Sequence, residues 1–148
     1  MTPLKSLSFA LLLVASTASA STPRSVIGPR TNAQNPNDPP FSAAVKVGDV
    51  LYLSGQLGLG PDRKPPADAT MEARLVMDAV KKLLADAGMT PDDLVSVQIF
   101  CSDVSHYDAF NAVYRTYFTK EFPSRAFLGS GALLFGARFE VVGIAVKR

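Results

Sequence analysis

The sequence predicts an α+β domain in the order β-β-α-β-α-β-β, with both helices on one face of the sheet. Three observations predict it. Residues 70–87 and 105–118 carry apolar positions at helical spacing, and alternating stretches rich in Val, Ile, Leu and Tyr surround them. Gly48-Asp49, Gly88, Thr90-Pro91 and Pro123 punctuate the chain between these stretches. Finally, the closing segment sets Phe139, Val141, Gly143 and Ala145 on one face and Val142, Ile144 and Val146 on the other. A strand apolar on both faces needs cover on both. Two helices cover one face, and the other looks for a partner, most simply a second copy of the chain.

Taken in order, residues 1–20 are different in kind from the rest. Lys5 forms a short positive region, Leu7 to Ala15 an apolar one too short to span a bilayer, and Ala18-Ser19-Ala20 a small-residue cleavage site. The pattern predicts a signal peptide over 1–20 and an exported protein, periplasmic or secreted, with no membrane segment after cleavage. Residues 21–40 hold five prolines and three asparagines and little to bury, so a flexible leader is expected there and the domain proper over 41–148. "FSAAVKVGDVLYLSGQ" reads as a hairpin turning at Gly48-Asp49. A helix follows from Asp68 or Thr70 to Ala87: Val76, Val80, Leu83, Leu84 and Ala87 form one stripe, Arg74, Asp78 and Lys81 take the opposite side, and Gly88 stops it. Thr90-Pro91-Asp92-Asp93 offers a capped turn into "LVSVQIFC", with Val95, Val97, Ile99 and Cys101 on one face. A second helix is expected from Ser105, boxed by Asp108, burying Phe110, Val113, Tyr114, Tyr117 and Phe118. Strands over 126–133 and 138–147 complete the chain.

Composition narrows the function classes. The chain of 148 residues carries a formal charge of +2, which falls by one without Lys5, so no electrostatic footprint for nucleic acid is expected. His106 is the only histidine and has no Cys or His companion, so no metal site is predicted. Cys101 is the only cysteine; it cannot form an internal disulfide, and its place on an apolar strand face marks a buried, inert thiol. "GLGPDRK" and "GSGALLFG" are glycine-rich but lack the strand-to-helix context of a phosphate cradle. Arg125 is the residue that raises a functional question. A guanidinium stays charged at any working pH and is costly to bury alone, yet it heads a run of small and apolar residues.

"LYLSGQLG", "AVKKLLADAGMTPDDLVSVQIFCSDV", "FNAVYRTYF", "FPSRAFLGSGAL" and "FEVVGIAVKR" together resemble the RidA/YjgF family over residues 40–148. The resemblance implies a chorismate-mutase-like fold, a homotrimer whose sheets face inward, and a ligand cleft at each of three subunit interfaces. It implies hydrolysis of reactive enamines or imines to a 2-oxo acid and ammonia, with no metal or organic cofactor. Some members also carry an endoribonuclease label, a remote alternative here given the charge and the lone histidine. Within this pattern Arg125 matches an arginine that receives a small ligand's carboxylate through two parallel hydrogen bonds. Phe127 would add a backbone N–H, Gly55 would leave room for the ligand, Phe41 would line the cleft where tyrosine is usual, and Asn111 and Tyr114 would shape it.

The chain also departs from the family. Phe127 stands where many relatives have cysteine. Hydrolytic members carry a Glu-x-Glu pattern on the last strand, and here the segment is Glu140-Val141-Val142. A valine can neither orient water nor take a proton. The catalytic residue is therefore left unassigned: Glu140 either takes over the role or serves as a structural partner for a backbone or arginine group. Turnover of imines stands as one reading, and a trimer that binds such ligands or another protein without turnover as the other.

Overall fold

The computed structural model describes residues 21–29 and 31–148 of the chain. The expected signal peptide lies outside the described residues. Six strands form one sheet: β1 (Arg24–Ile27), β2 (Ala44–Val47), β3 (Val50–Leu57), β4 (Leu94–Cys101), β5 (Ser124–Gly129) and β6 (Phe139–Val146), in the spatial order β1-β2-β3-β6-β4-β5. Two helices, α1 (Ala69–Asp86) and α2 (Tyr107–Tyr114), pack on one face of it. All pairings are antiparallel except β4 with β5, which is parallel because α2 carries the chain back between them.

Local chemistry accounts for each element. The hairpin β2–β3 pairs Val47 with Val50, leaving Gly48 and Asp49 as its loop, and Gly48 takes the positive φ of 58°. Asp68 caps α1 by accepting from the Met71 N–H at 2.9 Å. Gly88, at φ 72°, ends that helix as the sequence predicts. In the next turn the Asp93 carboxylate accepts from both the N–H (2.7 Å) and the hydroxyl (3.1 Å) of Thr90. Between the layers lie Leu51, Leu53, Val76, Met77, Val80, Leu84, Val97, Ile99, Phe110, Phe139 and Val141, all buried. Each such side chain contributes about 1.5–3 kcal/mol on leaving water.

Several expectations are corrected. Within the expected flexible leader, residues 24–27 form strand β1, paired with β2 from Arg24↔Val47 to Ile27↔Ala44. The edge of β2 offers unpaired backbone groups, and Ser25-Val26-Ile27 can extend along it. Asp38 further ties the stretch behind it, accepting from the Asn32 N–H and the Asn35 side-chain amide. The predicted box of Ser105 with Asp108 does not form; instead the Asp103 carboxylate accepts from the Ser105 N–H at 2.9 Å in a short turn before α2. Val95 is exposed, because a register shift between Leu94 and Ser96 rotates Leu94 inward in its place. β5 ends at Gly129 rather than 133, where the chain turns through Gly131, Phe135 and Gly136, all at positive φ.

One buried charge was not anticipated. Glu72 of α1 is fully enclosed and accepts from the backbone N–H groups of Arg138 and Phe139, while pairing with the Arg138 guanidinium at 2.7 Å. Arg138 also donates to the carbonyls of Pro66 and Ala67. The carboxylate thus fastens the loop before α1 to the start of β6, and its lone pairs are satisfied as burial requires.

The face of the sheet turned away from the helices is uncovered in the single chain. Tyr52, Leu128 and Val146 on it are exposed, and Val142, Ile144 and Phe100 are half-buried.

Candidate functional site

Arg125 and Phe127 share the helix side of edge strand β5. Phe127 packs edge-on against Tyr107 and Phe110 of α2, with ring centres 5.0 and 5.7 Å away. One turn of strand earlier, Arg125 lies half-buried over the Tyr114 ring at 4.8 Å and donates to the Asn111 Oδ1 at 2.7 Å. Its other terminal nitrogen reaches the Tyr107 hydroxyl at 3.5 Å. Tyr107, Asn111 and Tyr114 recur at helical spacing, so one stripe of α2 forms the bed of the guanidinium. None of the ion pairs among the described residues involves Arg125. A planar cation is thus held in place by an amide and aromatic faces, with its charge uncompensated, as anion capture needs.

A cavity of about 180 Å³ opens beside it, lined by Asn111, Tyr114, Arg115, Phe122, Pro123 and Arg125. Tyr114 is almost fully enclosed, and burial pushes its phenol up to about 12 against the pull of Arg125, so the hydroxyl stays protonated. That hydroxyl has no hydrogen-bond partner among the described residues. The backbone of β5 adds to the site. Ser130 donates its N–H to the Cys101 carbonyl on β4, and backbone alternation then points the N–H groups of Arg125, Phe127 and Gly129 outward along the unpaired edge. The Phe127 N–H expected from the sequence is therefore available to a ligand.

Gly55, Phe41 and Glu140 form a second group elsewhere. In β3 the register shifts between Leu53↔Gly143 and Gln56↔Val141, so Ser54 and Gly55 together stand opposite Val142. The Glu140 carboxylate lies in the space a side chain would fill at Gly55: a Cβ there would meet its Oε1 at 1.8 Å. This changes the reason for the glycine, which makes room for a carboxylate of the same chain. Ser54 donates its hydroxyl to the Ser42 carbonyl at 2.6 Å and its N–H to Ala43, placing exposed Phe41 next to the bulge. Glu140 is half-buried, and its carboxylate takes part in no hydrogen bond or ion pair among the described residues, so the structural partner considered for it is not found.

The structure therefore brings the five sequence-predicted residues together in two sets. Arg125, Phe127 and Asn111 sit at the β5 edge on the helix side. Gly55 on β3 and Phe41, in the segment before β2, sit with Glu140 of β6. Across the sheet from β5, β3 is three strand spacings away, about 14 Å, and β6 two, about 10 Å. Sequence reading missed Tyr107 as part of the arginine's bed and Arg115 as a cavity wall. Tyr107 stands four residues before Asn111 and Arg115 four after it, and that helical spacing was the available signal. Among the described residues no three His, Cys, Asp or Glu side chains converge to hold a metal. Burial raises the Cys101 thiol above its ordinary range, in keeping with an inert role.

Comparison with known proteins places this geometry. The sequence profile described as endoribonuclease L-PSP matches residues 32–147. Protein HMF1 of Saccharomyces cerevisiae is 34% identical over 109 residues, spanning 73% of this chain and 84% of the yeast protein. The 2-iminobutanoate/2-iminopropanoate deaminase of Escherichia coli is 31% identical over 113 residues, spanning 74% of this chain and 88% of its own. Among solved structures, E. coli TdcF with bound serine superposes with a TM-score of 0.73 at 26% identity, covering 84% of this chain and 99% of that one. With its mixed sheet, two helices on one face and a match across most of its length, this chain belongs to the RidA/YjgF family, the proteins also described as endoribonuclease L-PSP.

Proposed function

We propose that the protein captures small 2-imino and 2-oxo carboxylates at Arg125 and hydrolyses the imines to 2-oxo acid and ammonia, in clefts formed between copies of the chain as a homotrimer. The observation that carries this reading is the separation of two half-sites, each lacking what the other has. At the β5 edge are a fixed cation and an outward N–H; beside Gly55 is a carboxylate with no partner among the described residues. The open apolar face provides the surface through which a second copy can bring them together. The imine deaminases among the relatives support the substrate class.

In this reading the substrate carboxylate takes two N–H groups of Arg125 and the N–H of Phe127, which sets the C=N carbon at a fixed distance from the β5 edge. Glu140 of a neighbouring copy orients a water. The water oxygen bonds to the imine carbon as Glu140 takes one water proton and passes it to the nitrogen. Glu140 then carries the remaining hydroxyl proton to the nitrogen as the C–N bond breaks and the C=O forms, so ammonia and the 2-oxo acid leave with Glu140 restored as carboxylate. Glu140, rather than an acid at position 142, fills this role, because its carboxylate is the one lodged against Gly55. Export, proposed from the pattern in residues 1–20, would make imines formed outside the cytoplasm the relevant supply.

The test generates 2-iminobutyrate with an amino-acid oxidase and follows its loss. Wild type should outpace buffer, Arg125→Ala should weaken 2-oxobutyrate binding by at least about tenfold, and Glu140→Gln should abolish turnover while leaving 2-oxobutyrate bound. Val142 favours one other reading, binding without turnover. That reading is the correct one if wild type binds 2-oxobutyrate yet never outpaces buffer.

A further inference from the structure

The cavity beside Arg125 has a second cation. Arg115, four residues beyond Asn111 at the start of the 3-10 turn that follows α2, lines the same space of about 180 Å³, and its guanidinium lies over the Phe122 ring at 5.7 Å. Phe122 in turn stacks on Tyr114, the ring that carries Arg125, with centres 6.2 Å apart and planes 23° from parallel. Two arginines therefore rest on two neighbouring rings of one cavity wall. No acidic side chain lines this cavity, and none of the ion pairs among the described residues involves Arg115. The adjacent acid, Glu121, is turned to Arg148 at 3.9 Å. Two like charges converging on one space repel each other, and stacking on the rings holds them there without neutralising either. A ligand with one negative charge answers one of them. A ligand with a carboxylate at each end answers both.

We propose that the preferred ligands are dicarboxylic 2-imino and 2-oxo acids, with Arg125 taking the carboxylate next to the reacting carbon and Arg115 the distal one. This rests on the reading of Arg125 above and adds to it the substrate class. Phe122, Pro123 and Tyr114 supply an apolar wall for the short methylene chain between the two ends. Arg115 is exposed, so its contribution is open to screening by salt.

Calorimetric titration of the purified protein with 2-oxoglutarate and with 2-oxopentanoate tests the assignment, since the two share a chain length and differ in the terminal carboxylate. The expected result is 2-oxoglutarate bound about tenfold tighter, with the ratio falling as salt rises. Arg115→Gln should bring the ratio to about one, and Arg115→Lys should keep part of it. Equal affinities in wild type, or a preference that survives Arg115→Gln, would overturn the proposal. If 2-oxopentanoate still binds and Arg125→Ala still abolishes that binding, the carboxylate reading stands without it. Failure to bind either acid overturns both.

Discussion

At the scale of single residues, the informative positions are those where two side chains compete for one space. Gly55 is the clearest. Its missing Cβ is the room in which the Glu140 carboxylate lies, so Gly55→Ala should evict that carboxylate while leaving the core untouched. Imine loss in the assay above should then fall toward the buffer rate, with 2-oxobutyrate affinity kept and the melting temperature changed little. A variant that retains wild-type turnover would remove Glu140 from the mechanism. The sequence made Arg125 legible because a charged residue stood at the head of an apolar run. It did not make the Gly55–Glu140 contact legible, since the two are 85 positions apart and meet only through a bulge that no periodicity announces. The same limit applied to Glu72, which sits among helix positions and shows its role only once Arg138 is folded onto it.

At the scale of elements, the helices were readable because each is amphipathic, and the inner strands because their apolar positions alternate or, in β6, continue on both faces. Element ends were less so. Caps depend on one hydrogen bond, and a two-residue change of capping residue, as from Ser105 to Asp103, leaves the pattern of apolar positions unchanged. Strand β1 was hidden because its four residues bury almost nothing and gain their order from the backbone of β2. The capping carboxylates also set the acid limit of the fold. Burial pushes the Asp93 carboxyl up, but bonds from the N–H and hydroxyl of Thr90 and the N–H of Arg148, with Lys147 nearby, outweigh it and hold it below the usual range. Asp68 is lowered by the Met71 and Thr70 N–H groups, and Asp92 by the Thr119 hydroxyl and N–H. A depressed folded value means that the stabilisation is fully present above the unfolded carboxyl value, near pH 4. It is lost as pH falls through the lower folded values. Thermal melts should therefore be flat from about pH 7 to 5 and drop below about pH 4, and Asp93→Asn should lower the neutral plateau and lessen the acid drop. An unchanged slope in that variant would show that Asp93 is not among the groups responsible.

At the scale of the whole molecule, the sheet divides the chemistry. One face is packed by helices and carries Arg125 at its rim; the other is bare and carries Glu140. The closing strand, apolar on both sides, forecast the bare face from the sequence alone. The division of the site was not visible there, because strand order, with β6 between β3 and β4, fixes how far apart the two half-sites lie. The central claim is that a complete site takes Arg125 from one copy and Glu140 from another. Co-expression of Arg125→Ala and Glu140→Gln chains, carrying different affinity tags and purified through both, tests it most directly. Each variant alone should be inactive toward 2-iminobutyrate, and the mixed assembly should regain a sizeable fraction of wild-type turnover, because some interfaces then pair an intact Arg125 with an intact Glu140. A doubly tagged assembly as inactive as its parents would contradict the account.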